Sequence, residues 1–196
     1  VAEILEIVNL PQSQYLYHLL DEELASEVLV EIEEDTREQF LESLSAEEIA
    51  ESIEKMDADD ATDVIQDLPE NIQEEVLEAL KDEEHSSDIS MLMNYDENSA
   101  GGIMDVDFVS ADWNWTVKNA LQKLREQVEN VDQVYTIYVI DSTKQLKGIL
   151  SLKRFLYASD ETLIKDIYKK DSISVLVNED SESVALKMEK YDLVVI

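Results

Sequence analysis

The densest set of chemistry-bearing side chains is the run Asp57-Ala58-Asp59-Asp60-Ala61-Thr62-Asp63. Asp59 and Asp63 are four residues apart and share one face of a helix, with Asp60 beside them at the helix start. Carboxylate oxygens at this density suit a hard cation, Mg²⁺ or Ca²⁺. The spacing is not the Asp-x-Asp-x-Asp-Gly loop of an EF-hand, so no closed calcium site is expected. The plainer explanation is that one or two of these aspartates cap the helix, and that most other carboxylates serve solubility.

Other chemistries are poorly supplied. The chain has no cysteine, which removes thiolate metal sites, disulfides and cysteine catalysis. His18 sits beside Tyr15 and Leu19 in an apolar helix and His85 in a polar stretch, and neither has a second histidine at metal spacing. Both read as structural. There is no Gly-x-Ser-x-Gly elbow, dinucleotide fingerprint or His-Glu-x-x-His. Carboxylate pairs are abundant, and none is singled out for acid–base work. Trp113 and Trp115 flank a capping turn and are expected in packing or at a subunit rim. Gly101-Gly102 either permits a close backbone approach or relieves a turn.

The elements that must position these groups are visible as a repeat. Units EELASEVLVEI, EDTREQFLESL, AEEIAESIEKM, ADDATDVIQDL and ENIQEEVLEAL begin at residues 22, 34, 46, 58 and 70. Position eleven is always apolar (Ile32, Leu44, Met56, Leu68, Leu80), as is position eight (Leu29, Leu41, Ile53, Ile65, Leu77). Position seven is Val28, Phe40, Ser52, Val64 and Val76. Offsets of three and four make one apolar stripe on a short helix. Ser45, Asp57 and Pro69 stand at the breaks, as caps or helix-starting proline. Helices this short are marginal alone, so the repeat predicts a stacked α-solenoid or superhelix, its first turn near Leu10–Leu20.

Charge separates this half from the rest. The formal net charge is −32 although 44% of residues are apolar. Residues 1–88 hold 29 acidic and 3 basic side chains; residues 89–196 hold 18 and 12. A nucleic-acid or anionic-membrane partner is poorly served by so few cations, whereas a divalent cation is well served. The break predicts an acidic helical domain over 1–88 and a linker helix and turn over 89–102. No run is apolar enough to span a bilayer. Val1 in place of an initiator Met, and the apolar end Leu193-Val194-Val195-Ile196, predict a fragment of something longer.

After the linker, Phe108–Ser110 is expected as a strand and Thr116 as the cap of a helix reaching Val128. Val134–Ile140 and Leu146–Leu150 are expected as strands around an Asp141–Lys144 turn, and Lys153–Tyr157 as a helix. The order begins again with a short helix at Leu163–Tyr168, a strand at Ile173–Val177, a helix at Glu182–Lys190 and a strand from Leu193. One and a half α/β units are expected, over 103–160 and 161–196.

Three segments carry a family resemblance. They are residues 57–69 (DADDATDVIQDLP), residues 95–104 (YDENSAGGIM) and Glu189-Lys190-Tyr191-Asp192-Leu193. Together they resemble the cytosolic part of MgtE-type magnesium transporters. The resemblance implies a multidomain fold: an all-α superhelical N domain followed by α/β CBS domains, the second truncated. It implies a Mg²⁺-sensing regulatory region, a homodimer through the CBS domains, that gates a transmembrane domain missing from this chain. Mg²⁺ between acidic faces would favour a compact, closed state, and its loss would let the domains spread. The full-length protein would lie in the cell membrane, with this part soluble and facing the cytoplasm. By position, Asp59, Asp63, Glu182 and Asp192 are the metal-site candidates, and Mg²⁺ the ion.

Two features depart from the family pattern. The pore and its connecting helix are not expected within these residues, so this chain alone is not expected to transport. Many CBS units hold adenine nucleotides on a Gly-h-h-Ser/Thr-x-x-Asp segment; here Gly148-Ile149-Leu150-Ser151-Leu152-Lys153-Arg154 has Arg at the place of Asp. The main alternative is an adenine-nucleotide-responsive CBS module with the acidic half as a protein-docking scaffold. A calcium buffer or carboxylate enzyme is the third, and needs a preformed cage.

Overall fold

The twelve-residue repeat folds into short helices, each packed on a helix two places away along the chain. The computed structural model describes residues 1–128, 131 and 134–196. These divide into two units, residues 1–97 with 101–106, and residues 98–100 with 107–196.

The first unit contains α1 (Ala2–Ile7), α2 (Leu10–Tyr17), α3 (Glu22–Glu31), α4 (Glu34–Leu41), α5 (Ala46–Ile53), α6 (Ala58–Gln66), α7 (Glu70–Ala79) and α8 (Glu83–Leu92). Helices α3 to α7 begin at the first residue of each repeat unit. α1 packs on α3, α2 on α4, α3 on α5, α5 on α7 and α6 on α8. One core runs through the stack. Position eight supplies Leu29, Leu41, Ile53 and Ile65, all fully buried. Each such side chain contributes about 1.5–3 kcal/mol, which is what an isolated two-turn helix lacks.

Position seven is buried in every unit, including the polar one. Ser52 accepts a hydrogen bond from the Tyr17 hydroxyl (2.8 Å) and donates one to the Glu48 carbonyl (2.8 Å). Burial raises the Tyr17 pKa, partly offset by that bond to Ser52. Ser45 and Glu48 form a reciprocal capping box at α5. Asp57 occupies the N-cap position of α6, but its side chain makes no capping bond.

Two boundaries differ from expectation. The first turn ends at Tyr17 rather than Leu20, and α1 precedes it. α8 begins at Glu83, six residues before the expected Ile89, because the Asp82 carboxylate caps the amides of Glu84 and His85. The Glu54 carboxylate also accepts from the backbone of Lys81 and Asp82.

The second unit contains β1 (Ser110–Asp112), α9 (Val117–Gln127), β2 (Ile137–Ile140), β3 (Leu146–Leu150), α10 (Leu152–Tyr157), a 3₁₀ turn (Ile164–Asp166) and α11 (Ser181–Tyr191). The sheet is open, in the order β1-β2-β3. β1 pairs parallel to β2 from Ser110 opposite Tyr138, with α9 as the crossover a parallel pair requires. β2 pairs antiparallel to β3, Ile137 opposite Leu150, with an irregularity at Val139/Ile140. Val109, Ala111, Ile137, Val139, Leu150, Phe155 and Ile164 lie in the core. Trp113 and Trp115 pack against it.

β1 starts two residues later than expected, since Phe108 is half exposed and lies edge-on to the Tyr138 ring. The hairpin turn is held by Asp141, which accepts from Thr143, Gln145 and Lys147. The Lys147 ammonium and Thr143 hold its carboxyl well below the usual carboxylate range. The expected strands at Ile173–Val177 and from Leu193 are not strands. Extended backbone becomes a strand only when another strand pairs with it, and among the described residues these segments have none.

Candidate metal site

α6 carries Asp59 and Asp60 in its first turn and Asp63 one turn later. Ala58, Ala61, Thr62, Val64 and Ile65 bury the opposite face, and the Thr62 hydroxyl donates to the Ala58 carbonyl (2.6 Å). The apolar stripe therefore fixes the direction in which the aspartates point. Their face is crowded with like charge. Burial raises the Asp59 carboxyl above its ordinary range, and Asp105 raises it further. Burial, then Asp59 and Asp63, raise Asp60. Asp63 reaches solvent but is also raised, first by the protein around it; Arg37 pulls it down, while Asp59, Asp67 and Glu97 push it up.

Among the described residues Arg37 is the cation that acts on Asp60 and Asp63. Its Nε donates to Asp67 Oδ2 at 2.6 Å, both side chains being 13% exposed. Sequence spacing did not single out Arg37, Asp67, Glu97 or Asp105. Arg37 did carry a signal in its rarity, as one of three basic residues in 1–88. Asp105 and Glu97 carried none, because chain folding rather than helical spacing brings them near α6.

Glu182 and Asp192, the other candidates, lie in the second unit at opposite ends of α11. Glu182 is in its first turn, its amide bonded to Asp180; Asp192 is the C-cap, in left-handed backbone at φ 52°. Ten residues of helix separate them by about 15 Å, too far to share one ion within a subunit. Thus the structure brings Asp59 and Asp63 together and holds Glu182 and Asp192 apart.

Among the described residues no three His, Asp or Glu side chains converge closely enough to hold a metal ion. What α6 offers is unbalanced negative charge without a finished coordination shell. A hydrated Mg²⁺, which keeps several waters and takes one or two carboxylates, suits that better than Ca²⁺ with its six to eight oxygens. The histidines take structural roles. His85 Nε2 bonds the Ile53 carbonyl at 3.1 Å, and His18 lies 4.0 Å from Glu48. Gly102 is required by a close approach, since a Cβ there would collide with the Asp96 carbonyl and the Glu97 Cα.

A family model for the MgtE intracellular N domain matches residues 1–98. The chain belongs to the MgtE family. It carries the acidic N domain followed by the CBS-type region of that family's cytosolic part. Among curated proteins it is 36% identical over 111 residues to the magnesium transporter MgtE of Enterococcus faecalis, matching 57% of this chain and 24% of that protein. It is 33% identical over 110 residues to MgtE of Thermus thermophilus, matching 56% and 24%. The MgtE match therefore spans about a quarter of the length of those relatives.

Similar solved structures cover more of the chain. The soluble part of a magnesium transporter superposes with a TM-score of 0.84 at 30% identity, covering 98% of this chain and 76% of that one. The cytosolic domain of the Mg²⁺ channel MgtE in complex with ATP superposes at 0.78 with 28% identity, covering 98% and 83%. The cystathionine β-synthase pair domain of a Shewanella oneidensis protein shares the fold, at a TM-score of 0.51 and 17% identity. No helix among the described residues is long and apolar enough to cross a membrane.

Proposed function

We propose that this chain is a cytosolic regulatory region of a Mg²⁺ transporter, without catalytic activity of its own, that answers to adenine nucleotide and to Mg²⁺. The family match and the two full-length superpositions support the regulatory role. Nucleotide responsiveness draws on the observation that one of those relatives is a complex with ATP. This support is stronger than that for any gating mechanism. Against it stands Arg154 at the position where a CBS nucleotide segment carries Asp, with Ser151 spent on capping α10. Titrating ATP into the 196-residue chain by calorimetry tests the point. Saturable binding is expected; no heat at millimolar ATP would reject it.

The single observation behind Mg²⁺ sensing is the face of α6 that carries Asp59, Asp60 and Asp63 together, where burial first and like charge second raise all three carboxyls. In this proposal Asp59 and Asp63 of the first unit, and Glu182 and Asp192 of the second, contribute to Mg²⁺ sites. The bound ion favours a compact state, in a homodimer formed through the CBS part beneath a transmembrane domain. A ligand shifts such an equilibrium only by binding one state better, and relief of carboxylate repulsion supplies the difference. Solution scattering should show the radius of gyration falling with millimolar Mg²⁺ but not with monovalent salt of equal ionic strength. Asp59→Ala with Asp63→Ala should blunt that response; equal responses remove both from the site.

A further inference from the structure

The repeats leave a groove on the first unit that the Mg²⁺ proposal does not use. It lies where the end of α4 and the start of α5 meet the start of α7, and encloses about 500 Å³. Leu41, Leu44, Leu68 and Ile72 form its floor, while Glu42, Glu47 and Glu75 line it as carboxylates. Leu44 and Ile72 are half-buried, so the floor is reachable, and the three glutamates are exposed. None of the three is ion-paired among the described residues.

The charge around it is one-sided for a structural reason. α4 ends at the groove with no basic residue in its last turn, and the same holds for every helix from α1 to α8. Helices α9, α10 and α11 of the second unit each have one. A helix C-terminus favours a nearby cation, and here Glu42 stands at that end instead. The groove therefore combines an apolar floor with uncompensated negative charge at its edge.

We infer that this groove docks a basic amphipathic helix of a partner protein, with one or two branched apolar side chains on the floor and Lys or Arg against the glutamates. An anionic bilayer would be repelled by the rim. A hydrated cation has no use for the apolar floor. The inference deepens the docking-scaffold part of the alternative function and is independent of whether ATP or Mg²⁺ binds.

The test uses methyl NMR of the whole chain and a helix-forming peptide of leucine and lysine at helical spacing, with a leucine–glutamate peptide as its counterpart. Saturable shifts centred on Leu44, Leu68 and Ile72 are expected with the lysine peptide alone. Replacing Glu42, Glu47 and Glu75 with Gln should weaken binding about tenfold at low salt, at a few tenths of a log unit per exposed charge. The same replacement at Glu78, Glu83 and Glu84, exposed residues away from the groove lining, should leave it within about twofold. Equal losses from the two triples mean diffuse attraction and overturn the inference, as do shifts spread over the surface or no saturation. If the floor methyls shift with protein concentration alone, the occupant is a second copy and the proposal fails.

Discussion

At the residue scale, the α6 aspartates are a standing cost at neutral pH. A carboxyl raised in the folded state binds its proton more tightly there than in the unfolded chain. Its contribution is therefore favourable below the ordinary carboxylate pKa and is lost as pH rises through the raised folded values. Asp60→Asn, which removes the charge at nearly constant shape, should raise the urea midpoint at about pH 7 and lose that advantage by about pH 3. A gain that persists unchanged at low pH would assign the effect to packing instead. Arg37 is the counterpart. Arg37→Met leaves Asp67 without its partner in a site where both were mostly buried, and should cost about 2 kcal/mol, below the range for fully buried pairs because some water reaches it. Adding Asp67→Asn should recover most of the loss.

At the element scale, Ser52 shows how the repeat tolerates a polar residue at a buried position. Tyr17 reaches it from α2, so one hydrogen bond ties two helices 35 residues apart. Tyr17→Phe should cost about 1 kcal/mol. Ser52→Val strands the Tyr17 hydroxyl in the core and should cost about 1–3 kcal/mol. The double variant should be less destabilised than the sum of the singles, the signature of a direct interaction; strict additivity in denaturant midpoints would deny it. The helices of α3–α7 were legible in the sequence because their signals are local: a cap or break, then apolar residues at offsets of three and four. Ser52's partner was not, since nothing in the repeat predicts which distant hydroxyl arrives. The segments at 173–177 and from 193 misled for a related reason, because β-forming composition says nothing about whether a pairing strand exists. On α6 the aspartates were readable as a face, whereas Asp105 and Glu97 joined them only through the fold.

At the scale of the whole molecule, most of the carboxylate excess lies in residues 1–88. Self-repulsion there should be relieved by screening, so thermal stability of the first unit should rise with ionic strength. Mg²⁺ at matched ionic strength should raise it further, as a ligand of the folded state does by mass action. Unfolding followed by Tyr17-region methyl signals distinguishes the two, and identical shifts with NaCl and MgCl₂ would leave screening alone.

The packing of helices two places apart along the chain has a consequence for how such a chain can vary. The odd members form one continuous row, α1 on α3, α3 on α5 and α5 on α7, while α2 pairs with α4 and α6 with α8. Twelve residues is the period of the sequence, but twenty-four is the period of the structure. Excising a single unit ahead of α6 would change the parity of everything downstream and put α6 and its aspartates in register with the odd row. Excising two in succession restores the alternation and merely shortens the stack, so length can change without moving the acidic face only in even steps.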